Sequence, residues 1–410
     1  MAYVPVALIL AGMAAYTVLA GADFGAGLWM LAAAGPHAPQ TRAHARHAMG
    51  PVWEANHVWL IFVLVLCWTA YPVAFGSITS TLPIPLTAAA VGIIFRGTAY
   101  ALRGQGASRF AENLLALSSV VTPFFLATVI GAIAIGRVPV GNARGDIITS
   151  WLNLPCILVG VLAVAFSGYL AAVYLAADAV RVGSPQMARQ FRRRALAAGV
   201  GSGPLALAGA LVVRHYGLDL TRPLALAMVS VSAVAGLATL ALCRLSRFGL
   251  ARLSAALAVA AVVAGWAAAQ APRMLPGMTV AQAAAGRATL VALTIAVACG
   301  AVILIPALGL LFTLYLRGRL DTPETGTQEP DTSQAGTPQA GAPEAGPQAV
   351  APAGPGQPAG RTVALGGIAI AGLVAGGVLL VFTDMAWTHA AGVACFLACA
   401  VATFRLVAPD

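Results

Sequence analysis

Lysine is absent from this chain: all 23 basic residues are arginine, and only 13 acids oppose them, for a net charge of +10. Charged residues of either sign make up 9% of 410 residues, against 60% hydrophobic. That is too little polar surface to cover a soluble fold of this length. The positive excess does not point to a nucleic-acid partner, because the arginines fall in short segments between apolar runs, where the preference of cationic loops for the cytoplasmic side accounts for them. Cysteine is scarce as well. Cys67, Cys156, Cys243, Cys299, Cys395 and Cys399 all lie inside apolar runs, which excludes a disulfide framework and makes them packing residues. Cys395 and Cys399 share a helix face, but with no His or carboxylate beside them they make a poor metal site.

What the chain has in quantity is uninterrupted apolar length, with runs long enough to cross a hydrocarbon core of roughly 30 Å as helices. The class is therefore all-α, a polytopic transmembrane helical bundle. Reading the runs against Arg, Pro and Gly punctuation predicts core helices near 4–33, 53–75, 82–102, 112–135, 152–179, 195–213, 223–243, 250–270 and 288–316. A C-terminal extension of two shorter helices follows, near 363–383 and 386–405. Residues 321–360 carry eight Pro, five acids and no aromatic, so they cannot bury enough apolar surface to fold and read as a disordered cytoplasmic linker. The domains are then a transmembrane core over 1–319, the linker over 320–361 and a transmembrane hairpin over 362–410. Placing the N-terminus outside puts 16 arginines on inner segments and six on outer ones, which sets the orientation as N-terminus out and C-terminus cytoplasmic. The first run lacks a basic n-region and a cleavage site, so it is expected to be retained as a helix.

Ionisable groups inside a membrane are costly, and the few present are the first candidates for function. Two acids fall within the spans, Asp23 in helix 1 and Glu54 in the first turn of helix 2, and Arg96 is the one base left within a helix. Asp23 lies about ten residues, some 15 Å, above the inner end of its helix. It is flanked by Gly21 and Gly25, a G-x-x-x-G pair that admits a close helix neighbour. Its alternatives are a hydrogen-bonded packing residue and a proton or cation relay. Glu54 sits in Gly50-Pro51-Val52-Trp53-Glu54-Ala55-Asn56-His57-Val58-Trp59. Pro51 and an acid suit a helix start, yet Glu54 and His57, three apart on one face, also suit a proton-exchanging pair. Trp53 and Trp59 suit interfacial anchors. His37, His44 and His47 share a Pro- and Arg-bearing loop without Cys or carboxylate neighbours, which argues against a metal site.

At these residues the chain resembles subunit II of the cytochrome bd quinol oxidases. The family's helix 1 pattern, approximately D-G-F-D-x-G-x-G, is matched by Gly21, Asp23, Gly25 and Gly27, with Ala22 at the third position and Ala20 where the first acid stands. Its helix 2 pattern, approximately P-x-W-[DE]-x-N-x-x-W-L, is matched by Pro51, Trp53, Glu54, Asn56, Trp59 and Leu60, with Tyr71-Pro72 following. Ala283-Ala284-Ala285, Thr289-Leu290, Pro306 and Arg317-Gly318 are similar to the family's closing helix, so the resemblance spans about 1–319. It implies two four-helix bundles plus one helix, paired with a subunit I that carries haem b and haem d and takes a membrane quinol. It implies no haem in this chain, allows a structural quinone and small single-helix accessory subunits, and places the assembly in a bacterial cytoplasmic membrane. Asp23, Glu54 and His57 would line a cytoplasmic proton route. The alternative from the residues alone is a proton-coupled transporter using Asp23 and Glu54. It should show a second copy of either motif in the other half of the chain, and the sequence has none.

Overall fold

The structure is a computed structural model that describes residues 1–49, 53–101 and 109–316, together with residues 371, 391, 394, 395 and 398. The chain divides into two units, Met1–Cys299 and Gly300–Asp410. The linker expected over 320–361 lies outside the described residues, as does nearly all of the hairpin expected over 362–410.

The element order is α1 Tyr3–Leu31, α2 Ala38–Met49, α3 Trp53–Ala70, α4 Pro72–Thr81, α5 Pro83–Ala101, α6 Arg109–Ala134, α7 Leu154–Arg181, α8 Pro185–His215, α9 Pro223–Arg244, α10 Phe248–Gln270, β1 Arg273–Leu275, β2 Met278–Thr279, α11 Val280–Ala283 and α12 Arg287–Leu316. Every core helix expected from the apolar runs is there. Among the described residues seven helices are long and apolar enough to cross a membrane, eight with the bent pair α3–α4.

Helices in a membrane gain nothing from hiding one apolar face, so close packing of small residues must hold them together. The helix that shows this best is α1, which packs along α7, α3 and α6. At Gly25 a Cβ would fall on the Ser167 carbonyl of α7, and at Gly27 on the Ser119 hydroxyl of α6. Neither approach is open to alanine without a shift of the neighbour. Through these contacts α1, α3, α5 and α6 form one group, with α5 laid along α6. The second group is α7 to α10, where α7 packs on α8 and α9 on α10, and α1 meets it through α7 and α10. One apolar core runs between α1, α7, α8 and α10 around Leu170, Val173 and Leu175. A second, around Tyr71, Leu82 and Leu275, fills the end of the bundle at which the chain begins.

The structure differs from the sequence expectations in three helices and one connection. The helix expected over 53–75 stops at Ala70, and α4 leaves it at 118°. Tyr71 precedes a proline, which disfavours helical backbone, and it adopts φ −136° and ψ 59° with Pro72 opening the next helix. The loop expected around His37, His44 and His47 contains α2. Helix α8 begins at Pro185 rather than near 195, because Pro185 at its first position starts a turn whose arginines hide it from a hydropathy reading. Between α10 and α12 the chain forms the small antiparallel hairpin β1–β2. On the α6–α7 connection, amides of Thr149 and Ile148 donate to Asp146 and hold its carboxyl below the usual carboxylate range.

Candidate functional site

Asp23 is fully enclosed among Gly21, Ala22, Gly25 and Ala26, all buried on α1. Its partner is Arg96 of α5. The guanidinium donates from Nε to Asp23 Oδ2 at 2.8 Å and from Nη2 to the Asp23 main-chain carbonyl at 2.8 Å, and Nη2 lies 2.6 Å from Oδ1. Both side chains are 1% exposed. The Tyr100 hydroxyl, one turn along α5, donates to Asp23 Oδ1 at 2.9 Å. From α6, Ser119 accepts from Arg96 Nη1 at 3.2 Å and Ser118 at 3.5 Å. The guanidinium carbon stands 4.8 Å from the centre of the Phe24 ring, a cation–π geometry. Three helices thus converge on a single compensated charge pair. Glycine again sets the approach: one turn before Arg96, a Cβ at Gly92 would collide with the Thr122 hydroxyl of α6.

A buried pair of this kind contributes little net stability over an apolar replacement, but removing one partner leaves a lone charge and costs about 3–5 kcal/mol. The described residues bring Asp23 to about eight residues, roughly 12 Å, from the end of α1 at Leu31.

His57 enters the same region from α3. Its ring stands 6.1 Å from that of Tyr16 and 6.2 Å from that of Phe24, the residue after Asp23. Next to it, Asn56 is buried and donates Nδ2–H to the Leu19 carbonyl of α1 at 3.3 Å. Trp59 is half-buried and meets Phe62 edge-on at 6.3 Å. Trp53 and Glu54 occupy the first turn of α3. Their side chains and Pro51 fall outside the described residues, so the backbone alone places Glu54 one turn before His57.

A second polar cluster gathers where α1 and α7 end. His44 of α2 bonds through Nε2 to the Leu175 carbonyl at 3.0 Å and turns Nδ1 toward Asp178 Oδ2 at 3.9 Å. Asp178 accepts from Arg181 at 2.7 Å. Arg46 donates to Glu112 of α6 at 2.7 Å, and Arg42 donates to the Met30 and Ala33 carbonyls at the end of α1. His37 instead meets Gln40 and Gln186. Among the described residues no group of three or more His, Cys, Asp or Glu side chains is placed to hold a metal ion.

Residues 1–315 match the family described as cytochrome bd terminal oxidase subunit II. The chain belongs to this family. Among solved structures, the bd oxidase from Geobacillus thermodenitrificans is similar in fold, with a TM-score of 0.64, 23% identity, and coverage of 77% of this chain and 98% of the other. No curated protein gives a match.

For a bd oxidase subunit II, the motifs that lie far apart in sequence meet at both ends of the bundle. The Ala285 amide donates to the Ala70 carbonyl at 2.8 Å, joining Ala283-Ala284-Ala285 to the α3–α4 break, and the Tyr71 hydroxyl closes on the Ala2 carbonyl. Asp23, Asn56 and His57, predicted as site residues, come together on α1 and α3. Arg96, Tyr100, Ser118 and Ser119 were not predicted. The signal for Arg96 was available: with one acid and one base deep in the spans, neutrality pairs them. The hydroxyl residues carried no such signal.

Proposed function

We propose that this chain is the non-haem subunit of a membrane quinol:oxygen oxidoreductase, scaffolding a haem-bearing subunit I and contributing to cytoplasmic proton delivery for the reduction of oxygen to water. In this reading the complex contains haem b and haem d in subunit I and draws electrons from a membrane quinol. The N-terminus lies outside and the C-terminus in the cytoplasm, so α2 and the start of α3 face the proton source.

The observation that carries the proposal is the polar run across α1, α3, α5 and α6 within the family match. Glu54 opens α3, His57 and Asn56 follow one turn on, and Asp23 with Arg96 and Tyr100 lies deeper. Polar side chains of this density inside spans are expensive and mark ion or proton paths. The described residues do not fit a haem. An axial ligand must face a slot as wide as a porphyrin, whereas His57 on α3 stands with aromatic rings at 6.1 and 6.2 Å. The chain expressed alone is therefore expected to give a reduced-minus-oxidised spectrum without haem bands, and co-expression with a haem-bearing partner to recover them in the co-purified complex. Stoichiometric haem bands from this chain by itself would refute the reading.

A further inference from the structure

From Ala179 to Leu320 the sequence contains a single acid, Asp219, and fourteen arginines. Asp219 lies before α9 and pairs with Arg222 at 3.5 Å, at the opposite end of that helix from Arg244. The arginines at the α2 end of the second bundle therefore have no carboxylate to answer them from their own stretch of chain. Five of them form one corner. Arg189, Arg192 and Arg193 occupy a single side of the first turns of α8, at i, i+3 and i+4. Arg244 and Arg247 flank the turn between α9 and α10. The two groups are tied together, since Arg192 Nη1 donates to the Ser246 hydroxyl at 3.2 Å, and Ser246 holds the turn in the left-handed region at φ 57°. Among the described residues the ion pairs at this end of the bundle, His44 and Arg181 with Asp178 and Arg46 with Glu112, involve none of these five residues.

Directly along the turn the surface becomes apolar. Leu245 is 68% exposed and Leu253 is 70% exposed, with Leu250 beside them. A general bias of arginine toward one membrane face accounts for basic residues at this end. It does not account for a hydrogen bond that ties the arginine-bearing start of α8 to the arginine-flanked α9–α10 turn, next to exposed leucines.

We propose that this corner of α8 and the α9–α10 turn is a binding site for an anionic phospholipid. The phosphodiester is held by Arg192, Arg244 and Arg247, and the acyl chains lie on Leu245, Leu250 and Leu253. Guanidinium matches phosphate in geometry through paired N–H donors, and basic pockets between spans on one membrane side select lipid headgroups by this chemistry. A free phosphate ion would satisfy the arginines but leave the leucines unused. The acidic segment holding Asp321, Glu324, Glu329 and Asp331 is a competing occupant with charge but little apolar length.

The test uses the full-length chain in its purified complex, delipidated in a neutral detergent and then offered phosphatidylglycerol or phosphatidylcholine micelles. Retained phospholipid is counted by native mass spectrometry. The expected result is retention of phosphatidylglycerol over phosphatidylcholine by at least about tenfold. That preference should fall to near unity in Arg192→Gln/Arg244→Gln/Arg247→Gln and survive in the corresponding lysine triple. Arg273→Gln, at the other end of the bundle, should leave it unchanged. If the triple fails to assemble, exposed Arg247→Gln alone is expected to lower the preference by at least about threefold. Equal retention of the two lipids, or an unchanged preference in the glutamine variants, would overturn the proposal. So would displacement of phosphatidylglycerol by millimolar inorganic phosphate, which identifies a plain anion site, or a preference that appears only after Asp321, Glu324, Glu329 and Asp331 are neutralised, which identifies the linker as occupant.

Discussion

At the scale of single residues, the Asp23–Arg96 pair decides how substitutions in α1 should be read. Changing Asp23→Asn removes a negative charge from a place where neither partner is more than 1% exposed, so it strands the Arg96 guanidinium as well as altering any proton step. Asp23→Asn is therefore expected to lower the yield and melting temperature of the assembled complex, through a loss of about 3–5 kcal/mol. The double substitution Asp23→Asn/Arg96→Gln should recover a substantial part of that loss, because it leaves no uncompensated charge. Thermal unfolding of the single and double variants measures the coupling, and a single variant as stable as the parent would contradict the pairing. The sequence carried Asp23 plainly as a deep acid beside small residues. It carried Arg96 only as a base left over in a helix, and the 73 positions between them place their contact beyond local pattern. Tyr100, Ser118 and Ser119 were invisible, since hydroxyl residues in apolar helices usually bond to their own backbone, as Ser118 and Ser119 also do with the Leu115 carbonyl.

At the scale of elements, apolar length announced the core helices, because a run that crosses the membrane needs no periodicity to be recognised. Short polar elements did not announce themselves. Helix α2 has 12 residues and little apolar surface, and its place depends on bonds from Arg42, His44 and Arg46 to α1, α7 and α6. The glycines of α1 were recognised as a close-approach motif, but their inequality comes from the neighbours. Gly25 faces backbone on α7, Gly27 faces a side chain on α6, and at Gly21 the nearest atom to a Cβ is Leu170 Cδ1 at 3.3 Å. Alanine at Gly25 is thus expected to destabilise the complex by about 1–3 kcal/mol or more, as overpacking against rigid atoms does. Alanine at Gly27 should cost less, since it meets the Ser119 side chain rather than backbone, and alanine at Gly21 least. Melting temperatures of the three variants check the order, and equal effects at Gly21 and Gly25 would show that α1 and α7 are not in backbone contact.

At the scale of the whole molecule, the family match ends at residue 315 and the packed groups of helices are complete within α1–α10. A chain truncated after Leu320 is therefore expected to assemble with its partner and support quinol-driven oxygen consumption at the parent rate within about twofold. Loss of both on truncation would place the C-terminal region in the core. The central claim is that the polar run beginning at Glu54 carries protons. Glu54→Gln keeps size and hydrogen bonding while removing the exchangeable proton, and the haem spectrum of the complex reports assembly independently of turnover. The most direct measurement is the rate of quinol-driven oxygen consumption by assembled Glu54→Gln complex. A rate at least about tenfold lower, equivalent to about 1.4 kcal/mol of barrier, with an unchanged haem spectrum is the predicted result. Parent-rate turnover with an unchanged spectrum would contradict it.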